Sequence, residues 1–548
     1  MKKYKKENLL FVPLGGAGEI GMNCYLYHYN GHWIMVDLGI TFSDSMSSYD
    51  LIMPDLQFVL DKKISAIILT HAHEDHIGAV PYLYEKISTD VPIYSTSFTA
   101  SVLKRKFESQ NKTSYNLRLL EYNKEIKIGD FGIEILALTH SIPEPNGIII
   151  RTKRGNVFHT GDWKVDPNPL VGKPIDEKKL EVIKNQGIRA MICDSTNVFD
   201  ENHSGSEEEV RNSLKKIFSE FKNGKIIVTC FSSNIARLES ILKVSGESNR
   251  SCLFLGRSIH RIYESATENS YLSSEKNIIS EKEAQHIPDE NLVVICTGSQ
   301  GESNASLIRL AKGNHKYLRL DKQDLIIFSS REIPGNEKRI NDLKMIISKA
   351  GCKILDQKNS FVHVSGHPSK KELKKMYEWI SPDILIPVHG EYRHLEEHRK
   401  FANKSGIAKT ILVQNGDLTI LDSNSKAKII DNVPIGRNVL KGSRVLSINN
   451  KIFSHLDLIN SNGEIFVAII LNLDNELVTD PIVFCPSIFE DANDMEILKD
   501  NIVESLNEII NSSYDDKVIC EQIKSKTKSY IRKKIGLKPL TYVEIVRI

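Results

Sequence analysis

At 548 residues, 41% hydrophobic and 26% charged, the chain has the composition of a globular protein and the length for about three separately packed units. No apolar run approaches the roughly 20 residues of a membrane-spanning helix, so no membrane partner is expected. The formal net charge of +2 singles out no partner class, and a nucleic-acid surface on such a chain has to be a local groove.

The N-terminus, MKKYKKENLLFVP, begins with cations as a signal peptide does. Its apolar stretch is short and runs into Pro13, Gly15 and Gly16, so it reads as a first β-strand, and the expected location is the cytoplasm. The eight cysteines form no C-x-x-C pair. Several lie in apolar runs, such as Cys230 in IIVTCF and Cys296 in LVVICTG, and read as buried reduced thiols.

Further along, apolar β-type runs repeatedly end at polar groups. IMVDLGITF carries Asp37, which can cap a turn or orient an imidazole. ISAIILT at 64–70 leads into HAHEDHIG at 71–78, followed by IGAVPYLYEKI, whose spacing is helical. GIEILALT leads into His140. GIIIRT and NVFHT, joined through Gly155, read as an antiparallel hairpin that delivers Gly161 and Asp162. DILIPV at 383–388 delivers His389. Groups placed just past rigid strands are how layered sheet folds build sites, and strand-rich halves with helices outside suggest a four-layer αββα sandwich.

Three imidazoles and a carboxylate packed into His71, His73, Asp75 and His76 cost too much to bury as ordinary core. Seven groups then suffice for two metal ions. His71, His73 and His140 serve one ion, Asp75, His76 and His389 the other, and Asp162 bridges them, since a carboxylate can give one oxygen to each. Imidazole and carboxylate donors suit two zinc ions per subunit, with manganese or magnesium as alternatives. Ions about 4 Å apart would activate a shared hydroxide and neutralise charge on the attacked group.

Between 204 and 365 the pattern changes. His203-Ser-Gly-Ser-Glu opens an acidic helix with Ser206 and Glu209 at capping-box spacing. IIVTC-FSSN, CLFL-GRS, LVVIC-TGSQGE and LIIF-SSREIPGNE then repeat a strand followed by a small polar loop, a form that presents backbone N–H groups to phosphates. Beside a two-metal site, four such loops favour a phosphate-rich polymer.

Asp37, HAHEDH, His140, Asp162 and a late histidine, in this order, resemble the metallo-β-lactamase superfamily. Asp194 in ICDSTN, His367 in VHVSGHPS and His389 in PVHGEYRH look like motifs A, B and C of the β-CASP nucleases, and CFSSNIARLES, TGSQGESNASL and SSREIPGNE closely resemble bacterial ribonuclease J. The likeness runs from about residue 8 to the C-terminus. It implies a lactamase-like domain in two parts (1–204 and 366–435), an inserted β-CASP domain (205–365), a linker (436–452) and a C-terminal α/β domain (453–548) linked to homodimer or homotetramer assembly.

The resemblance also implies a reaction: hydrolysis of RNA phosphodiester bonds, 5′→3′ exonucleolytic and endonucleolytic, in RNA processing and decay, with partners in an RNA-degradation complex. Asp75, His367 and Asp194 are the catalytic candidates. His367 would protonate or stabilise the leaving oxygen, and Asp194 would orient it. A pocket one nucleotide from the metals would take a 5′-monophosphate through Ser330, His363, Ser365, Gly366 and His367, with Ser233 and Asn234 beside it; a triphosphate is too bulky for a closed pocket. Single-stranded RNA is the expected form, with Arg237, Arg257 and Arg331 weighed as backbone contacts against ordinary surface or ion-pair arginines. SSREIPGNE carries Arg331 and Glu332 where a smaller, less charged dipeptide is expected, so the pocket's edge should differ. Two other readings, a small-molecule zinc hydrolase and a non-catalytic RNA-binding subunit, fail respectively to explain the insert and the complete ligand set.

Toward the C-terminus, TILVQNGDLTILD reads as strands of the first domain and GRNVLKG leads into an extended segment. EIFVAIILNL, PIVFCPS and TYVEIVRI read as strands; MEILKDNIVESLNEIINSS and DDKVICEQIKSKTKSYIRKKIG read as helices. The cations Lys524, Lys526, Lys528, Arg532, Lys533 and Lys534 are weighed as an RNA contact against a solvated helix face.

Overall fold

The computed structural model describes residues 4–42, 49, 51–273, 277–489, 491–510 and 515–548. The chain divides into two compact units, Met1–Phe42 with Leu51–Asn438, and Ser43–Asp50 with Val439–Ile548.

Two sheets face each other in the first unit. One has eight strands, in the spatial order Lys428–Asn432, Asp417–Ile420, Leu10–Gly15, Cys24–Tyr29, His32–Val36, Ile64–Ile68, Ile93–Ser95 and Leu117–Leu119. The other runs Ile126–Ile128, Phe131–Ala137, Asn146–Thr152, Gly155–His159, Ala190–Asp194 and Ile384–Val388. Side chains alternate between the faces of a strand, so Ile148 and Ile150 pack inward against Phe11, Tyr25 and Ile34 of the opposite sheet. Ile149 turns outward onto Leu180, Ile183, Leu373 and Met376 of the helices Glu177–Asn185 and Lys370–Ile380. The fold is the αββα sandwich expected from the sequence, and the hairpin Asn146–Thr152/Gly155–His159 turns at Gly155, where φ is +133°.

Ala190–Asp194 pairs in parallel with Ile384–Val388, although a whole further layer of chain lies between them in sequence. That chain builds a six-stranded sheet in the order Ile278–Ile279, Ser251–Leu255, Leu292–Cys296, Ile226–Thr229, Leu325–Phe328 and Lys353–Leu355, with every pair parallel. The four strand-loop repeats are its βα units, feeding the helices Ile235–Glu247, Arg257–Glu268, Ser306–Ala311 and Glu337–Lys349. The acidic helix Glu207–Glu220 starts at Ser206 with the capping box to Glu209 formed.

Two readings of the later chain change. In TILVQNGDLTILD only Asp417–Ile420 is a strand; Thr410 makes a lone bridge to Leu385, and a turn closed by Asp417 N–H onto Gln414 O interrupts the run. The segment 436–452 is not a plain extended linker. It holds the strands Arg437–Lys441 and Arg444–Ser447 and the start of a helix, Lys451–Asn462, capped by Asn450.

In the second unit, Glu464–Leu471 runs parallel to Leu540–Arg547 and antiparallel to Ile482–Phe484. The helices Ala492–Ile510 and Asp516–Ile535 bury Leu498, Ile502, Leu506, Ile519, Ile523 and Ile531 against it. On the basic helix, Lys524 pairs with Glu521, Lys526 with Glu508 and Lys534 with Asp494. All eight cysteines are free thiols, seven of them buried. Among the described residues no helix is long and apolar enough to cross a membrane.

Candidate metal centre

The strands Ile64–Ile68, Phe131–Ala137, Gly155–His159 and Ile384–Val388 end at one rim of the sandwich, and their following loops bring the candidate ligands together. The one-turn helix Glu74–Ile77 carries Asp75 and His76, with His73 at its start. It is pressed against the chain at Gly39, where a Cβ would fall 1.7 Å from Asp75 O. His389 sits at φ +52° and Asp37 at +61°, both in the left-handed region that costs non-glycine residues energy and that clusters at functional sites.

Two donor sets result, His71, His73, His140 and Asp162 in one, Asp75, His76, Asp162 and His389 in the other, with the donor atoms of each within 4.8 Å of one another. Asp162 is common to both. Its Oδ2 lies 3.7 Å from His71 Nε2, 3.8 Å from His140 Nε2, 3.2 Å from His76 Nε2 and 3.4 Å from His389 Nε2. His73 presents Nδ1 to the cluster, 3.0 Å from His71 Nε2 and 3.1 Å from His140 Nε2.

Electrostatics split the sets. Burial pushes His71 and His140 well below the usual imidazole range and His73 down to about 3, so these three are neutral and their lone pairs free. Burial acts the same way on His76 and His389, but Asp162 and Asp75 outweigh it, raising His76 well above its ordinary value and His389 to about 9. Asp162 in turn, though buried, is held well below the usual carboxylate range by His389, His76 and His367. Protons on His76 and His389 occupy the charge that a divalent cation would bring, so the donor set fits such an ion by chemistry as well as by spacing.

Several of these groups have hydrogen-bond partners outside the two sets. Asp37 Oδ2 lies 2.7 Å from His76 Nδ1, and Asp37 accepts hydrogen bonds from Thr70 N–H and Thr70 Oγ1, both at 2.8 Å. The Asp37 carboxylate thus lies against the His76 ring. His140 Nδ1 donates to Gly366 O. Asn23 Nδ2 lies 3.3 Å from Asp75 Oδ2 and 3.0 Å from His76 Nε2, with its Oδ1 taken by Tyr25 OH. His389 N–H donates to Gly16 O at 2.6 Å.

Comparison with known proteins agrees along the chain. Residues 32–193 match the beta-lactamase superfamily domain, 223–346 the ribonuclease J beta-CASP domain, and 353–413 the Zn-dependent metallo-hydrolase RNA specificity domain. Ribonuclease J of Sinorhizobium meliloti is 36% identical over 99% of this chain and 98% of its own length. The chain belongs to the ribonuclease J family.

Other members of this family of metal-dependent ribonucleases align over most of the chain. Ribonuclease J of Corynebacterium glutamicum is 32% identical over 99% of this chain and 76% of its own, and ribonuclease J2 of Bacillus subtilis 30% over 88% and 87%. A solved structure of a protein of unknown function from Enterococcus faecalis shares the fold, with a TM-score of 0.54 at 16% identity, covering 75% of this chain and all of that one.

The ribonuclease J motifs meet at the same centre. His367 Nδ1 is 2.7 Å from Asp194 Oδ2, and Thr196 donates from N to Asp194 Oδ1 and from Oγ1 to His389 O. Ser330 and His363 flank a hydrogen bond from Ser329 Oγ to Val362 O. His363 Nδ1 is buried with no hydrogen-bond partner among the described residues, and burial together with Arg237, Arg331 and Lys164 keeps its ring uncharged. Ser365 Oγ accepts from His367 N–H at 3.1 Å.

Other positions are engaged with neighbours of their own. Asn234 is buried as the cap of helix Ile235–Glu247, its side chain spent on Arg237 N–H and Glu207, so it is not free to meet substrate. Arg237 is fully buried in a bidentate pair with Glu207, so of the roles weighed for it the ion pair is the one formed. Ser233 lines a cleft between the helices Ser97–Ser109 and Arg257–Glu268 that reaches Ala72 and Glu74. Arg331 reaches Asn197 Oδ1 at 2.6 Å, and Glu332 is held by Lys344 and Lys358, so the unusual dipeptide is anchored at both charges. Asn23, Thr70 and the Gly366 carbonyl escaped the sequence reading, since an amide, a hydroxyl and a main-chain oxygen carry no signature of their own.

Proposed function

We propose that this chain hydrolyses single-stranded RNA, removing nucleotides 5′→3′ from 5′-monophosphorylated ends and cutting internally, with two zinc ions in the two donor sets. The observation that carries this is Asp162, which faces both sets while His367 and Asp194 stand beside it. When bound, paired cations neutralise charge gathering on phosphorus and make water nucleophilic at neutral pH. The protein's own groups do the rest. Neutral His71, His73 and His140, His76 and His389 once they give up their extra protons, and the carboxylates Asp75 and Asp162 would hold the ions in register, with Asp37 behind His76 and Gly366 O behind His140. His367, kept protonated by Asp194, delivers a proton to the oxygen leaving phosphorus. Ser330, His363, Ser365 and Gly366 receive the 5′-phosphate dianion, with Arg331 and Lys164 supplying positive field and Ser233 edging the cleft. A closed pocket of this kind admits a monophosphate and excludes a triphosphate; internal cleavage needs only the cleft. Homodimer or homotetramer assembly through the second unit, action in the cytoplasm and association with an RNA-degradation complex belong to the same reading.

The test presents 5′-monophosphate, 5′-triphosphate and 5′-hydroxyl RNAs to the protein with and without chelator. Mononucleotide release from the first alone, abolished by chelation and restored by zinc, is the expected pattern. Release from all three at equal rates would remove the phosphate pocket from the account, and activity indifferent to chelation would remove the metals.

A further inference from the structure

The segment that returns the chain from the inserted domain, residues 362–367, is fastened at both ends. Val362 O accepts from Arg237 Nη1 at 2.9 Å and from Ser329 Oγ at 2.7 Å. Arg237 is itself immobilised, since its guanidinium also holds both Glu207 oxygens and the Ser329 carbonyl. Four residues on, Gly366 O takes the Nδ1 proton of His140 at 2.5 Å. A Cβ at 366 would lie 2.7 Å from His140 Cε1 and 2.8 Å from its Nδ1, so the backbone lies against the ring with no room to spare. Midway, Val364 packs on Gly205 of the outgoing crossing, where a Cβ would come within 2.7 Å of Cγ1, and Gly205 O is pinned by Lys164 Nζ at 3.0 Å.

His363, Ser365 and Gly366, placed above at the 5′-phosphate, therefore hang between a buried ion pair and an imidazole of the first donor set. An imidazole that donates through Nδ1 keeps its Nε2 lone pair for a metal, and the direction of that lone pair follows the carbonyl. If the loop shifts, the ring turns; if a metal fixes the ring, the loop is fixed with it. Resting on the ribonuclease reading, we infer that Gly366 is a positioning residue for the first metal ion, and that through it this ion and the 5′-phosphate each tighten the other's binding. Linkage makes the effect reciprocal.

Plain attraction between cations and a phosphate would also couple them, but it would act through both ions. Coupling through Gly366 belongs to the first ion alone, and this separates the two. Calorimetric titration of uridine 5′-monophosphate into full-length protein, with and without zinc, provides the readout. Wild type should bind the nucleotide about tenfold more tightly when zinc-loaded. His71→Ala, which removes a donor of the first set without touching the loop, should abolish that gain, whereas His389→Ala, in the second set, should keep it. Gly366→Ala should weaken the first zinc by about ten- to a hundredfold and bind the nucleotide equally with and without metal. Should Gly366→Ala fail to fold by circular dichroism, the His71→Ala and His389→Ala pair still decides. Equal loss of the gain in those two variants, or a Gly366→Ala protein that keeps both zinc ions and the gain, overturns the inference. A wild type that binds zinc and nucleotide independently overturns the coupling only, while one that binds no zinc overturns the ribonuclease reading beneath it.

Discussion

One imidazole, His367, stands between two carboxylates of different duty: its Nδ1 is 2.7 Å from Asp194 Oδ2 and 3.8 Å from Asp162 Oδ2. Burial alone would lower its pKa, but Asp194 and Asp162 outweigh burial and hold it above the ordinary value. A group with a raised pKa keeps its proton to higher pH, so activity that needs His367 protonated is lost only as pH rises through that raised value. Asp194→Asn removes the larger of the two raising influences. The alkaline limb of the kcat/KM profile on 5′-monophosphorylated RNA should then move to lower pH, and His367→Ala should cost about a hundredfold or more. An alkaline limb unmoved by Asp194→Asn would show that His367 is not the acid.

Asp37 meets His76 from the side opposite the metal position, and it does so from a left-handed backbone conformation. An asparagine there keeps the shape but puts an N–H where the imidazole N–H needs an acceptor. Asp37→Asn should therefore lower zinc affinity by about ten- to a hundredfold at the set containing His76, while the set containing His71 is spared. Competition against a chromophoric chelator would count the affected ions. A uniform weakening of both, or none, would contradict the assignment.

Arg237 and Glu207 pair at the heart of the inserted domain, with no exposed surface on the arginine. Removing one partner leaves a buried charge alone, which costs about 3–5 kcal/mol, whereas replacing both with apolar residues of similar size costs far less. Arg237→Ala should destabilise strongly in urea denaturation, and the double variant Arg237→Met/Glu207→Leu should recover much of the loss. If Arg237→Ala unfolds at the wild-type midpoint, the pair has been given a weight it does not have. Because Val362 O is among the arginine's acceptors, the same variant should also weaken 5′-phosphate binding.

How much of this was legible in the sequence follows from what sequence patterns encode. Seven metal-donor candidates at the ends of apolar strands could be read directly, because clustered imidazoles have no cheaper fate than a cation site. The apolar run GIIIRT, the run NVFHT and the glycine between them likewise displayed a hairpin. Partnerships between remote residues were hidden. Arg237 left an RNA contact, a surface role and an ion pair all open because nothing in its neighbourhood announces Glu207 on the preceding helix, and Asn234 stood as a substrate candidate through the family resemblance alone, which does not reveal that its amide caps a helix. Asn23 lies beside Asp75 only after two strands have paired. KIFSHLDLINSN has a helical stripe that was overlooked in favour of the extended run before it.

Metal binding should be visible as proton release. His76 and His389 both carry raised pKa values, His389 to about 9, because Asp162 and Asp75 face them. At neutral pH both rings are thus charged in the metal-free protein, whereas His71, His73 and His140 are already neutral and have no proton to give. A metal ligand must present a lone pair, so filling the second set displaces protons and filling the first does not. Zinc titrations at pH 7 in buffers of different ionisation enthalpy should report about two protons released from these imidazoles per chain, beyond any given up by metal-bound water, and about one fewer as pH rises past the value at His389. His389→Ala should leave about one. Release of no protons at pH 7 would mean that Asp162 and Asp75 do not hold these imidazoles charged, and the division of the centre into a neutral and a charged half would be wrong.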